Sequence, residues 1–348
     1  MIAALVSGCG SSSSSDGKPT TLNLLAWEGY TEPAWVKPFE QANDVKVNIS
    51  YVGSDDELFA KVRGGGGTTF DLVATNRANL IPLDRARLIV PLDEARLTNY
   101  AKVYPQLANA GVRIGGKLFA APFVWGSIPL IYSTKAFPRA PDSWGAVFDP
   151  PASMCGKVLL NEDAGTTIST VALYLGYKDP YRLTDAQLSK VKDVLVNARK
   201  CARAFYSGFG DAANYFASGD VVVGNSLGSI ITLLARDKGA SVAEVVPKEG
   251  ALGWMDTWAI TKGGEKKLDL AYKWIDWSES PKVQAMVSKH TSFAPTVQGV
   301  ESQLDPQLRH SLHLDDPSYL RTLVPIVTPQ EPDSLQKRLD LWNLVKAG

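Results

Sequence analysis

From Thr21 onward the chain alternates short apolar strands with amphipathic helices, and it runs through that alternation twice. Leu22 to Ala26, Val45 to Val52 and Phe70 to Ala74 read as strands, with helices between them at about Thr31 to Ala42 and near Glu57. A second series opens at Lys157 to Leu160, continues through helices at Thr167 to Leu175 and Asp185 to Ala202, and reaches a strand at Val221 to Val223 before another helix. Such alternation lays helices over the faces of a mostly parallel sheet, so each series predicts an α/β unit. Late in the chain, Asp256 to Ile260 leads into a helix whose Leu268, Tyr272 and Ile275 recur at helical spacing and give it one buried face.

With 348 residues, 45% of them hydrophobic, the chain is long enough for two cores. Its 36 basic and 36 acidic side chains cancel, which leaves no basic footprint for a nucleic-acid backbone. No run approaches the roughly 20 apolar residues of a membrane-spanning helix. Met1 to Val6 is a short apolar run followed by Ser7, Gly8 and Cys9, the pattern at which bacterial lipoproteins are cleaved and lipidated on the cysteine. The basic start and longer apolar segment of a full signal peptide are missing, so a plain N-terminal tail with a spare cysteine also fits. Within residues 1–20, Ser11 to Ser15 followed by Asp16 and Gly17 reads as a flexible tether. Cys155 and Cys201 remain; an exported compartment permits a disulfide between them, and two separately buried thiols suit the spacing equally.

Two stretches imitate enzyme motifs. Gly111 to Leu118 is nearly a phosphate-binding loop, but Leu118 stands where a magnesium-ligating hydroxyl is required, and Gly115-Gly116-Lys117-Leu118 suits a hairpin turn. Gly224-Asn225-Ser226-Leu227-Gly228 follows a strand and precedes a helix, as a serine nucleophile elbow does, with His290, His310 and His313 downstream. No oxyanion segment precedes it, and a tight strand-to-helix turn facing a cleft accounts for the same glycines. The histidines and cysteines have no metal-ligand spacing, and His310 and His313 read as surface residues of a helix. No cofactor is called for.

The remaining constellation is aromatic and acidic: Trp27-Glu28-Gly29-Tyr30, Asn161-Glu162-Asp163 and Trp254-Met255-Asp256-Thr257-Trp258, each placed at a strand end. Aromatic faces flanking carboxylates suit an ammonium group, each cation–π contact being worth about 0.5–2 kcal/mol. A core role for each tryptophan is the competing explanation. Together with Phe70 to Val73, Pro122 to Gly126 and Pro247 to Gly250, these segments resemble the periplasmic spermidine/putrescine-binding family over nearly the whole chain.

The resemblance implies a two-lobed α/β fold of the type II periplasmic binding proteins. Lobe 1 would hold residues 21–125 and 256–292, lobe 2 residues 126–255 and 293–348, with the ligand in the cleft between them. It implies a monomeric, non-enzymatic receptor in the periplasm that hands a small amine to the permease of an ABC importer, with Cys9 its lipid anchor. Trp27, Tyr30 and Trp254 would form an aromatic box, and Asp163 and Asp256 would pair with amino groups. Glu28, Thr166 and Ser226 depart from the family's pattern at ligand-facing positions, Thr166 standing in place of an acid. Fewer acids imply fewer ammonium groups. A zwitterion such as a γ-amino acid or aminophosphonate, its anionic end at Gly165 to Thr167 or Arg77, is therefore the alternative ligand, although Arg77 reads more simply as a solvated side chain.

Overall fold

In the computed structural model, which describes residues 20–53, 55–316, 318–326 and 332–347, the two strand series form separate sheets with separate cores. Cys9 and the Ser-rich tether lie outside the described residues. In chain order the strands are β1 (Thr20–Trp27), β2 (Val45–Val52), β3 (Leu72–Asn76), β4 (Arg113–Ile114), β5 (Lys117–Leu118), β6 (Ala121–Ile128) and β7 (Leu130–Ser133). They continue as β8 (Val158–Asn161), β9 (Ala202–Tyr206), β10 (Val223–Asn225), β11 (Val242–Val245), β12 (Ala251–Ile260), β13 (Ala294–Pro295) and β14 (Leu323–Pro325).

The larger sheet has the order β13-β6-β12-β3-β1-β2, with β14 along β12. β1 runs parallel to β2 and β3, whereas β12 is antiparallel to β3 and β6. Leu22, Leu24, Leu25 and Ala26 of β1 are all fully buried, as expected for a strand covered on both faces. The smaller sheet has the order β11-β7-β10-β8-β9, with β8 parallel to both its neighbours. Its longest helix, Asp185–Cys201, starts on a capping box between Thr184 and Gln187. The sulfurs of Cys155 and Cys201 are bonded, with Cα atoms 4.2 Å apart, beside the point where β8 and β9 pair.

The chain passes between the sheets at Pro129, again between β11 and β12, and a third time after β14. Ile128, Leu173, Tyr181 and Leu252 form a small apolar cluster at this junction. The lobe boundaries differ from those expected from sequence. Residues 126–128 and 251–255 continue strands of the larger sheet, and much of 293–325 packs on it through β13, Leu304, Leu312 and Tyr319. Within the C-terminal segment assigned to lobe 2, the Pro332–Ala347 helix packs on the smaller lobe, its Trp342 edge-on to Phe205 at 5.6 Å. Strand pairing, which sequence spacing does not encode, holds the 293–325 stretch back.

β4 and β5 form a hairpin in which Gly115 (φ 57°) and Gly116 (φ 81°) occupy the two left-handed positions of its turn, so the stretch resembling a phosphate-binding loop starts no helix. No helix among the described residues is long and apolar enough to cross a membrane.

Candidate functional site

Three segments of the larger lobe converge on one carboxylate. β12 is long because it pairs with β6, β3 and β14 in turn, and it carries Trp254 and Asp256 in its middle rather than at a strand end. The antiparallel register sets Asp256 opposite Asn76, the last residue of β3, and Asn76 donates from Nδ2 to Oδ1 of Asp256 at 3.1 Å. After β1 the backbone turns at Gly29 (φ 86°), which carries Tyr30 back over the sheet, where its hydroxyl donates to Oδ2 of Asp256 at 2.6 Å.

Asp256 is buried, and no basic side chain forms an ion pair with it among the described residues. Burial pushes its carboxyl up from an ordinary 3.8 to about 6. The hydrogen bonds from Tyr30 and Asn76 and the distant Arg77 pull it back, while Asp55 adds to the rise. Burial and the adjacent carboxylate also hold the Tyr30 hydroxyl well above its usual range, so it stays a donor. A carboxylate in this state is held in shape but not neutralised, which is the electrostatic condition for taking up a cation.

Aromatic rings pack around Tyr30, the donor to the carboxylate. Tyr30 packs edge-on against Phe123 at 5.2 Å and Phe293 at 6.3 Å, and Phe293 meets Trp254 at 4.8 Å. The Trp254 indole lies over Gly126 of β6; a Cβ there would sit 2.5 Å from Cζ2, so only glycine admits the ring in this position. Trp27, at the end of β1, is half-buried with an indole nitrogen that finds no partner among the described residues. Glu28 is exposed in the turn that follows.

Residues expected from the smaller lobe fare differently. Asp163 is exposed and caps the Ala164–Tyr174 helix, accepting from the Thr166 backbone N–H at 2.6 Å. Ser226 is fully buried, donating to the Gly228 carbonyl at 2.8 Å and accepting from the Gly228 N–H at 3.2 Å. Its hydroxyl closes the strand-to-helix turn, which corrects the expectation that it faces a ligand. Arg77 is also corrected: far from solvated, it is buried and donates to the carbonyls of Ile326, Ala110 and Gly253 at 3.2, 3.1 and 2.7 Å. With Nε, Nη1 and Nη2 each bonded to a backbone carbonyl, it anchors three separate segments of the chain, and two of its five N–H groups lie beyond those bonds. His313 is not a helical surface residue either; it sits in a left-handed turn (φ 56°) with its ring stacked on Tyr319.

Residues 34–310 match the model of a family described as bacterial extracellular solute-binding protein. The chain belongs to that family. This solute-binding protein is 27% identical over 345 residues to the putrescine-binding periplasmic protein PotF of Escherichia coli, covering 94% of this chain and 92% of the relative. It is 25% identical over 313 residues to the spermidine/putrescine-binding periplasmic protein of the same organism, covering 88% and 86%. Among solved structures, the spermidine/putrescine substrate-binding protein PotD from Streptococcus pneumoniae superposes with a TM-score of 0.82 at 19% identity, covering 94% of this chain and 99% of that one. A GABA receptor superposes with a TM-score of 0.75, also at 19% identity, covering 94% and 98%. These structural likenesses establish the two-lobed fold.

Sequence reasoning missed Asn76, Phe123 and Phe293 in this solute-binding protein. Asn76 closes β3 and caps the following turn through Ala78, a capping signal visible beforehand; Phe293 carries no such signal, because β13 is only two residues long.

Proposed function

We propose that this solute-binding protein is the receptor of an ABC importer and captures a small cationic amine between its lobes. Asp256 carries the proposal: it is a buried carboxylate oriented by Tyr30 and Asn76, with aromatic rings packed around Tyr30 and no protein counter-ion among the described residues. The names of the relatives point to putrescine and spermidine as the ligand class. One buried acid in an aromatic surround also suits a molecule with a single ammonium group. A zwitterion such as γ-aminobutyrate is therefore the second ligand, its ammonium placed on Asp256 like a polyamine's.

Trp27, Tyr30 and Trp254 supply the aromatic surfaces in this proposal, with Asp163, Thr166 and Glu28 at the rim, where they meet the distal end of the ligand. No catalysis belongs to it. Ser226 is spent on its own turn, and among the described residues the histidines are engaged elsewhere, His290 with Glu32, His310 with Asp315 and His313 with Glu244. The protein acts as a monomer in the periplasm, held to the membrane through Cys9 and handing its ligand to the permease.

A thermal-shift panel of putrescine, spermidine, γ-aminobutyrate, glutamate and glucose tests the proposal. A ligand that binds only the folded state stabilises it by about 2.7 kcal/mol at a hundredfold excess over its Kd. Amines carrying an ammonium group and no second acid are expected to raise Tm by several degrees. Stabilisation by glucose or glutamate with none by the amines is the opposing result.

A further inference from the structure

We propose that His313 and Glu244 form a latch between the lobes that sets the receptor's affinity from outside the ligand site. Glu244 belongs to β11 of the smaller lobe, whereas His313 follows a short helix packed on the larger one, next to Leu312 of its core. His313 Nε2 lies 3.1 Å from Glu244 Oε1.

Each half of the contact is fixed by its own lobe. Glu244 accepts from Ser229 Oγ at 2.5 Å and Thr232 Oγ1 at 2.8 Å, both on the helix preceding β11, and its side chain is 9% exposed. The His313 ring stacks on Tyr319 at 3.7 Å with the planes 8° apart, and the Tyr319 hydroxyl is hydrogen-bonded to Ser127 of β6 at 2.7 Å. His313 adopts its left-handed backbone (φ 56°), which a non-glycine residue enters only when its surroundings hold it there. The contact stands between two cavities that both cross the lobes. One lies beside Trp254, and the other, of about 160 Å³, lies between Arg236 and His310.

Separating the lobes breaks this hydrogen bond and orphans neither partner. Glu244 keeps its two hydroxyl donors, and the half-buried His313 keeps its stacking and gains water. The bond therefore favours the arrangement in which the lobes meet here over one in which they part. A ligand that contacts both lobes binds the closed form, and its apparent affinity scales with the fraction of receptor closed. This second step rests on the proposed amine binding between the lobes; the first does not.

Small-angle scattering of the ligand-free protein tests the latch without any ligand, using His313→Asn, whose asparagine tolerates the left-handed backbone, and Glu244→Ala from the other side, because a glutamine would keep an acceptor for the imidazole. Both variants are expected to stay folded and to show a larger radius of gyration than the parent, with a modestly lower denaturation midpoint from the lost stacking on Tyr319 or the lost bonds to Ser229 and Thr232. Calorimetry with putrescine as the probe is expected to show each variant binding roughly three- to tenfold more weakly, and the double variant no weaker than the worse single one. Unchanged ligand-free dimensions in both single variants overturn the latch. So do affinity losses that add in full in the double variant. If putrescine fails to bind the parent, the ligand reading fails and the scattering result still decides the latch.

Discussion

Asp256→Asn is expected to remove most of the affinity for a cationic amine while leaving the ligand-free protein at least as stable as the parent. The two effects share one cause. In the parent, burial lifts the Asp256 carboxyl from 3.8 to about 6, so at pH 8 the fold carries a charge it holds at a cost of about 3 kcal/mol. An amide of the same shape carries no such cost; its oxygen can accept from Asn76 while its NH2 donates to the Tyr30 hydroxyl oxygen, reversing that bond. The bound ammonium, conversely, loses its counter-charge in a desolvated site, which costs about 2–5 kcal/mol, roughly thirtyfold to a few thousandfold in Kd. Calorimetry and denaturation of the same preparation check both halves. An Asn variant that is less stable and binds within twofold of the parent would show that Asp256 serves only the fold.

The largest expected loss of stability follows Arg77→Met. Arg77 joins the segment after β3 to the loop before β4, to β12 and to the end of β14 through three backbone carbonyls. Burial lowers its guanidinium to about 10, still charged at neutral pH, so these are charge-assisted hydrogen bonds in a desolvated setting. Methionine fills much of the volume and pairs with none of the three carbonyls, an expected cost of about 3–5 kcal/mol. Urea denaturation measures it; a loss under about 1 kcal/mol would mean that water replaces the guanidinium without penalty. Because Gly253 precedes Trp254, amine affinity in the surviving fold is expected to fall as well.

The alternation of strands and helices was legible because the period of the apolar residues is local: β2 falls on Val45–Val52 as expected, and the Asp185–Cys201 helix begins at its predicted position. Asp256, Trp254 and Tyr30 were legible through the family resemblance, which spans the segments that hold them. Arg77 was not. Its partners lie 33, 176 and 249 residues away and are carbonyl oxygens, which every residue has, so no pattern of side chains distinguishes it from a solvated arginine. Ser226 misled for a related reason. Its Gly-rich setting fixes a turn, and whether the hydroxyl faces out or folds back on Gly228 depends on backbone geometry that the motif leaves open. The lobe assignment of 293–325 failed because the two-residue β13 and three-residue β14 are too short to leave a periodic signal.

An ammonium bound at Asp256 takes the place of the proton that the raised carboxyl holds below about pH 6, and proton-linked calorimetry reads that exchange. In the ligand-free protein the raised carboxyl favours the folded state fully below pH 4, and this contribution is lost as pH rises through about 6. A bound ammonium favours the carboxylate, so binding below pH 6 must expel the proton. Putrescine titrated at pH 5 and pH 8, each in two buffers of different ionisation heat, is predicted to release close to one proton at pH 5 and almost none at pH 8. Its affinity at pH 5 is predicted to be about tenfold weaker. Tight binding with the same affinity at both pH values and no proton release would contradict the assignment of Asp256 as the ammonium site.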